Sequence, residues 1–294
     1  MSTSERAVHP TAELIAFAAN GWAFRDAVRG PARAFVLVTL VQAMASARAP
    51  RVEIAAADAP GPARMRAHAI GRAAVTTPLR AAFVTGVAAG EAATLTTPVV
   101  CAAFALGESL DAPGATVLDA IVAGTEIAVR VERALGAGHR ERGWDTHGTC
   151  GRLGAAVAAA RVLGLQREAM RDAFGIAATA ACGLREARGT MTAAYIVGAA
   201  AADGIEAALL ARAEFTAAPL ALEGRRGLAA LMSPTFDGAA LVQGLGETFL
   251  MESLAAGPTG SPNGPAYDAV RALVDRIERL PSIRELIDAT LAAS

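Results

Sequence analysis

Stretches such as GAAVAAARVLG (154–164) and AAYIVGAAAADGIEAALLAR (193–212) limit what this chain can fold into. They are long, apolar and built largely from Ala and Gly, without Pro and without two-residue alternation. Side chains this small give little for a sheet to pack with, but they let helix axes approach closely, and Ala is the strongest helix former. The composition extends the point: 53% of the 294 residues are hydrophobic but only 4% aromatic. No segment sustains a strand-like period, so an all-α helical bundle is predicted, and a chain of this length can bury a large core.

Helical patterns run through TAELIAFAANGWAF (11–24), PARAFVLVTLVQAMASA (31–47, opened by Pro31 near a first-turn position), TPLRAAFVTGVAAGEAA (77–93) and PVVCAAFALGESL (98–110). A long helix follows over 115–136, with Glu126 and Arg130 at i,i+4 spacing and an end at Gly136, before the loop-like GAGHRERG. REAMRDAFGIAATAA (167–181) and residues 193–215 supply two more. Residues 50–64 read as a loop. The Gly/Pro/Ser-rich 254–265 reads as a linker between a domain over 1–253 and C-terminal helices over 266–294. In that last part Val270, Leu273, Val274, Ile277 and Leu280 form one apolar stripe, and Ser282-Ile-Arg-Glu285 has the form of a capping box. Such a pair should dock back on the main domain.

Several classes of function lack their signature. The net charge is -1 with no basic stripe, so no nucleic-acid partner is expected. No window offers about 18 uninterrupted apolar residues, and the start lacks a signal-peptide layout. Three cysteines without metal-ligand spacing fit a reduced compartment. A cytoplasmic protein away from membranes is expected. All 27 residues in the Lys+Arg total are Arg, which removes Schiff-base and lysine-base chemistry. No dinucleotide fingerprint and no paired metal ligands are present, so no cofactor and no metal are expected.

The loop GWDTHGTCGRLG (143–154) is the leading candidate site. Free backbone N–H groups at a helix start favour a carboxylate, and Thr149 lies among them as a substrate-binding candidate. Asp145 could orient His147 as a general base, or merely cap the helix. Cys150 in the same loop reads as a structural residue, with a thiolate nucleophile at the helix start as the alternative. Arg185 and Arg188 bracket GLREARGTMT; Arg185 would clamp a substrate carboxylate, with solvated loop charge as the alternative. Tyr195 could donate a proton or be a half-buried core tyrosine, and Thr192 could bind substrate or hydrogen-bond within its loop. Glu91 reads as a helix-surface charge, with a replacement carboxylate base as the alternative, and His9, His68 and His139 receive no role.

Five stretches in order, AIVAGTEIAVRV (120–131), GTCGRLGAAVAAARVLGL (148–165), AFGIAATAACGL (173–184), GTMTAA (189–194) and ALEGRRGL (221–228), resemble the MmgE/PrpD family. The resemblance implies a helical domain closed by an α/β lid inserted before the last helices, assembled as a homodimer. Residues 254–265 stand where the lid would begin, and RIERLPSIRELIDATL is similar to the family's own C-terminal end. A helical domain with its lid excised is therefore expected. The family's proton-transfer set is replaced: Gly90 stands at its His, Leu95 and Thr96 at its Asp pair, and Ala193 where Lys often follows Gly-Thr-Met-Thr. Thr97 keeps the family residue, which makes it a substrate-binding candidate. In the Gly-Phe-His-x-Thr-Gly-Thr-x-Gly motif, Asp145 stands for the His and His147 for the Thr.

The expectation is a cofactor-independent lyase or isomerase shifting a proton next to a carbonyl or carboxylate, extending to cyclisation. An open cavity weakens electrostatic catalysis of small diacids and admits a bulkier small-molecule substrate, as in specialised metabolism. The alternative is a non-catalytic scaffold or partner subunit, and a third possibility is a lid supplied by another chain.

Overall fold

The computed structural model describes residues 9–21, 23–56, 65–255 and 264–291. The chain opens with α1 (Pro10–Ala19), α2 (Asp26–Ser46) and α3 (Pro50–Ala56). Helix α2 starts a turn earlier than expected, so Pro31 lies inside it. This costs only one early intrahelical bond, since Pro lacks the N–H that would reach back four residues. Residues 50–56 are helical instead of loop, with Pro50 at the helix start and Val52 buried on the inner face. A two-stranded hairpin, β1 (Ala67–His68) with β2 (Val75–Thr76), is the only sheet among the described residues.

The bundle proper is α4 (Pro78–Ala89), α5 (Thr97–Ser109), α6 (Gly114–Glu141), α7 (Arg152–Val162), α8 (Arg167–Ala180) and α9 (Met191–Arg212). Thr77 starts α4 by accepting the Arg80 N–H at 3.3 Å, and Thr190 starts α9 by accepting the Thr192 N–H at 3.2 Å. Helix α9 is central, packed against α4, α5, α7 and α8. It alone among the described helices is unbroken, long and apolar enough to cross a membrane; 56% of its most apolar window is buried by these neighbours. Small residues make the close crossings possible. A Cβ on Gly86 would fall 2.6 Å from the Cα of Gly198, and one on Gly124 would fall 2.5 Å from the carbonyl oxygen of Gly154.

Helix α6 does not end at Gly136. That residue breaks the helix with φ 68°, and the chain resumes helical form to Glu141. Thr235 packs at the break, its hydroxyl accepting the Gly138 N–H at 3.2 Å and donating to the Leu135 carbonyl at 2.8 Å. His139 is thereby buried instead of lying in a loop.

After α10 (Leu228–Met232), residues 241–251 are held by a fully buried ion pair. Arg130 Nε lies 2.6 Å from Glu126, and the guanidinium also donates to the carbonyls of Leu241, Gln243 and Thr248. Glu126 accepts the N–H groups of Leu250 and Met251. Every polar atom of the pair thus has work to do, which a buried charge requires. Most of the linker expected over 254–265 lies outside the described residues. Beyond it, α11 (Pro265–Val274) and α12 (Arg284–Leu291) return to the bundle. The Gly114 N–H donates to Leu280 O at 3.0 Å and the Ile283 N–H to Ala112 O at 2.9 Å, with Ser282 capping α12.

Candidate active site

Two distant loops are stitched into one floor. Residues 143–145 run antiparallel to 183–185: the Asp145 N–H donates to Gly183 O at 3.0 Å, the Arg185 N–H donates to Gly143 O at 2.8 Å, and Trp144 faces Leu184. The chain then turns into the helix start through a widened turn, in which the Gly151 N–H reaches back five residues to Thr146 O at 2.9 Å. Single π-turns of this kind recur at functional sites because they re-aim side chains. Gly148 is obligatory here, since a Cβ would lie 1.9 Å from the carbonyl oxygen of Cys182.

On this turn Asp145 both caps the helix and holds His147. Its Oδ1 accepts the His147 backbone N–H at 2.9 Å and lies 2.9 Å from His147 Nδ1, with the Gly148 N–H at 3.4 Å. Burial works to raise the Asp145 pKa, but the His147 ring and the two N–H groups outweigh it and hold the carboxyl below its usual range. With Nδ1 committed to Asp145, Nε2 is the ring nitrogen left for a ligand.

Asp145 and His147 line a cavity of about 690 Å³ together with Arg51, Gly90, Glu91, Arg188, Met191 and Ala193, among others. Arg51 reaches it from α3, donating to Val87 O, Ala88 O and, at 2.6 Å, to Glu91. Arg188 makes no ion pair or side-chain hydrogen bond with the described residues, so it is the uncommitted cation of the cavity. Gly90 and Ala193, the positions that the family resemblance aligns with a His and a Lys, both lie in the cavity wall and bring no polar side chain to it. A side chain cannot return at 90 without moving α9, because a Cβ would lie 2.5 Å from that of Ala194.

The other candidates fall elsewhere. Arg185 is drawn away by the 143–185 pairing, and its Nη1 donates to Arg140 O at 3.0 Å; Arg188 and Arg51 occupy the place expected for it. Tyr195 is 55% exposed on the outer face of α9, edge-on to Phe83 at 5.7 Å, and does not reach the cavity. Thr192 lies on that same outer face. Thr97 is buried at the start of α5, where its hydroxyl accepts the Thr94 N–H. Thr149 is buried too, donating to Asp145 O at 2.9 Å and lying 2.9 Å from His139 Nε2. Both threonines are buried beneath the floor, and neither lines this cavity. Cys150 is fully buried and its thiol is pushed up to about 12 by burial, which leaves it inert.

Three supporting residues escaped the sequence reading. Arg51 lay in a presumed loop. His139, buried with its pKa lowered by desolvation, supports Thr149 from beneath. Arg152 is a buried staple: it donates to Gly148 O at 3.1 Å and Ala180 O at 2.8 Å and pairs with Asp203, tying the turn to α8 and α9. Its signal was a lone arginine amid Ala and Gly. No three His, Cys, Asp or Glu side chains converge as metal ligands among the described residues.

The bundle and this floor define an all-α protein whose polar cavity is built on a glycine-rich helix start. The chain belongs to the MmgE/PrpD family: the MmgE/PrpD N-terminal domain matches residues 16–239. Cis-aconitate decarboxylase of Aspergillus terreus is 36% identical over 136 residues, covering 44% of this chain and 28% of the decarboxylase. The protein of the same name from A. terreus strain NIH 2624 / FGSC A1156 gives the same figures. The matched stretch is therefore well under a third of the relatives' length.

Proposed function

We propose that this protein is a cofactor-independent lyase or isomerase that moves a proton on a carbon beside a carbonyl or carboxylate. His147 is the base, acting through Nε2, and Asp145 fixes the ring and balances the charge it gains. Arg188 binds the substrate's carboxylate, in the role first expected of Arg185, and Arg51 lines the same wall. The observation that carries this is the 2.9 Å contact between Asp145 Oδ1 and His147 Nδ1 at the edge of a cavity that also holds an unpaired guanidinium. The similarity to cis-aconitate decarboxylase, a lyase by name, supports the reaction class. The cavity lies within the usual range of about 300–1,000 Å³ for small-molecule sites. With the short Ala193 in its wall, it favours an acid larger than the family's small di- and tricarboxylates.

The test is deuterium uptake from D₂O into a panel of 2-oxo, 3-oxo and α,β-unsaturated acids, followed by NMR. Uptake catalysed by the wild type and abolished by His147→Ala is expected. Uptake that survives that substitution would remove His147 from the chemistry. Acid binding without any uptake would favour a non-catalytic scaffold.

A further inference from the structure

A second groove adjoins the cavity and differs from it in chemistry. Its volume is about 260 Å³, and it is lined by Ile54, Phe83, Val87 and Tyr195, with Arg51 and Met191 shared between groove and cavity. Ile54, Met191 and Tyr195 are each more than half exposed, and the Phe83 and Tyr195 rings meet edge-on at 5.7 Å. Contiguous exposed apolar side chains of this size mark a binding surface. At the cavity end Glu91 already faces Arg51 and Asp145 already faces His147, so the charge left to satisfy is Arg188. A molecule filling both spaces would set an anion by Arg188 and, passing Met191, lay hydrocarbon against α3, α4 and α9.

We infer that the substrate of this site is an amphiphilic carboxylic acid: its carboxylate and reacting carbon lie beside Arg188 and His147, and an apolar tail occupies the groove along Met191, Phe83 and Ile54. This rests on the proton-transfer reading for which end reacts, but the tail groove is testable without turnover. Methionine at the junction suits it, because a flexible thioether adapts to varied tails. The threshold between polar cavity and apolar groove also gives discrimination: each methylene buried in such a groove multiplies affinity about fourfold.

The experiment measures binding of straight-chain carboxylates from butanoate to octanoate, and of the matching primary amides, by titration calorimetry. Affinity should rise about fourfold per methylene. Arg188→Gln should weaken every carboxylate about tenfold and leave the amides unchanged. Ile54→Gln, at an exposed position of the groove alone, should flatten the chain-length dependence and keep butanoate affinity within twofold, and Met191→Gln should flatten that dependence as well. The same dependence should persist in His147→Ala, so a failed reaction and a failed groove give different results. Affinity independent of chain length, or a dependence untouched by both Gln substitutions, would overturn the proposal. So would Ile54→Gln splitting a dimer in sedimentation while leaving chain-length dependence intact, because the groove would then belong to a second copy.

Discussion

Asp145 Oδ1 accepts a backbone N–H and faces an imidazole nitrogen at the same 2.9 Å, so one atom carries both the turn and the orientation of His147. Asp145→Asn separates the two roles. Asn caps helices about as well as Asp, so stability should change by about 1 kcal/mol or less in urea unfolding. The imidazolium, however, loses its counter-charge, and the turnover number should fall about a hundredfold or more. Beneath them His139 makes a different prediction. Desolvation lowers its folded pKa from the ordinary 6.5. The unfolded chain therefore takes up a proton at higher pH than the folded one, and stability declines as pH falls from about 6.5 through the folded value. Asp145, also lowered, adds a further loss only below its ordinary 3.8. Urea midpoints measured from pH 7.5 to 5 should drop in the wild type, and His139→Gln should flatten that slope. An unchanged slope would mean that His139 is not held neutral by burial.

Among the helices, the crossings set by Gly86 with Gly198 and Gly124 with Gly154 leave no room for a side chain. Gly198→Leu should prevent α4 and α9 from docking, measured as loss of the cooperative thermal transition. The buried Arg130–Glu126 pair makes a graded test: Arg130→Met leaves Glu126 charged and unpaired, and should cost about 3–5 kcal/mol in denaturant unfolding. Replacing both partners with apolar residues should recover part of that loss. Much of this was legible in the sequence. Small residues at helical period predicted α4, α5, α8 and α9 within a few residues of their ends and α6 as far as its break at Gly136, and the Asp145–His147 loop was visible as a helix start bearing an acid and a base. What stayed hidden depended on long-range contacts. Thr235 holds the Gly136 break, past which His139 is buried beside Thr149, and pairing of 143–145 with 183–185 turns Arg185 toward Arg140 O and leaves Arg188 on the cavity. Residues 50–56 form a helix that buries Val52 and sends Arg51 to the Val87 and Ala88 carbonyls at the end of α4, partners nearly forty residues away.

At the scale of the whole molecule, the helical bundle carries a polar cavity whose wall holds Asp145, His147, Arg51 and Arg188. The family resemblance aligns Gly90 and Ala193 with a His and a Lys, and the close approach of Ala194 bars a side chain from returning at 90. On the proposed reading 2-methylcitrate and cis-aconitate are poor substrates, with kcat/KM far below the about 10⁴ M⁻¹s⁻¹ at which ordinary enzymes begin. Turnover of either at ordinary rates would contradict the proposed preference for a larger acid. Gly90→His should not restore such activity and should lower the melting temperature, because the new side chain pushes α4 and α9 apart.

The most direct measurement is the tautomer of His147, read by long-range ¹H–¹⁵N correlation on histidine-labelled protein at a pH where the ring is neutral, with and without octanoate. The structure predicts a proton on Nδ1, held by Asp145, a bare Nε2 whose resonance shifts when the acid binds, and loss of that shift in Arg188→Gln. A proton on Nε2, or an Nε2 resonance indifferent to the acid, would contradict the claim that this imidazole is aimed at a ligand.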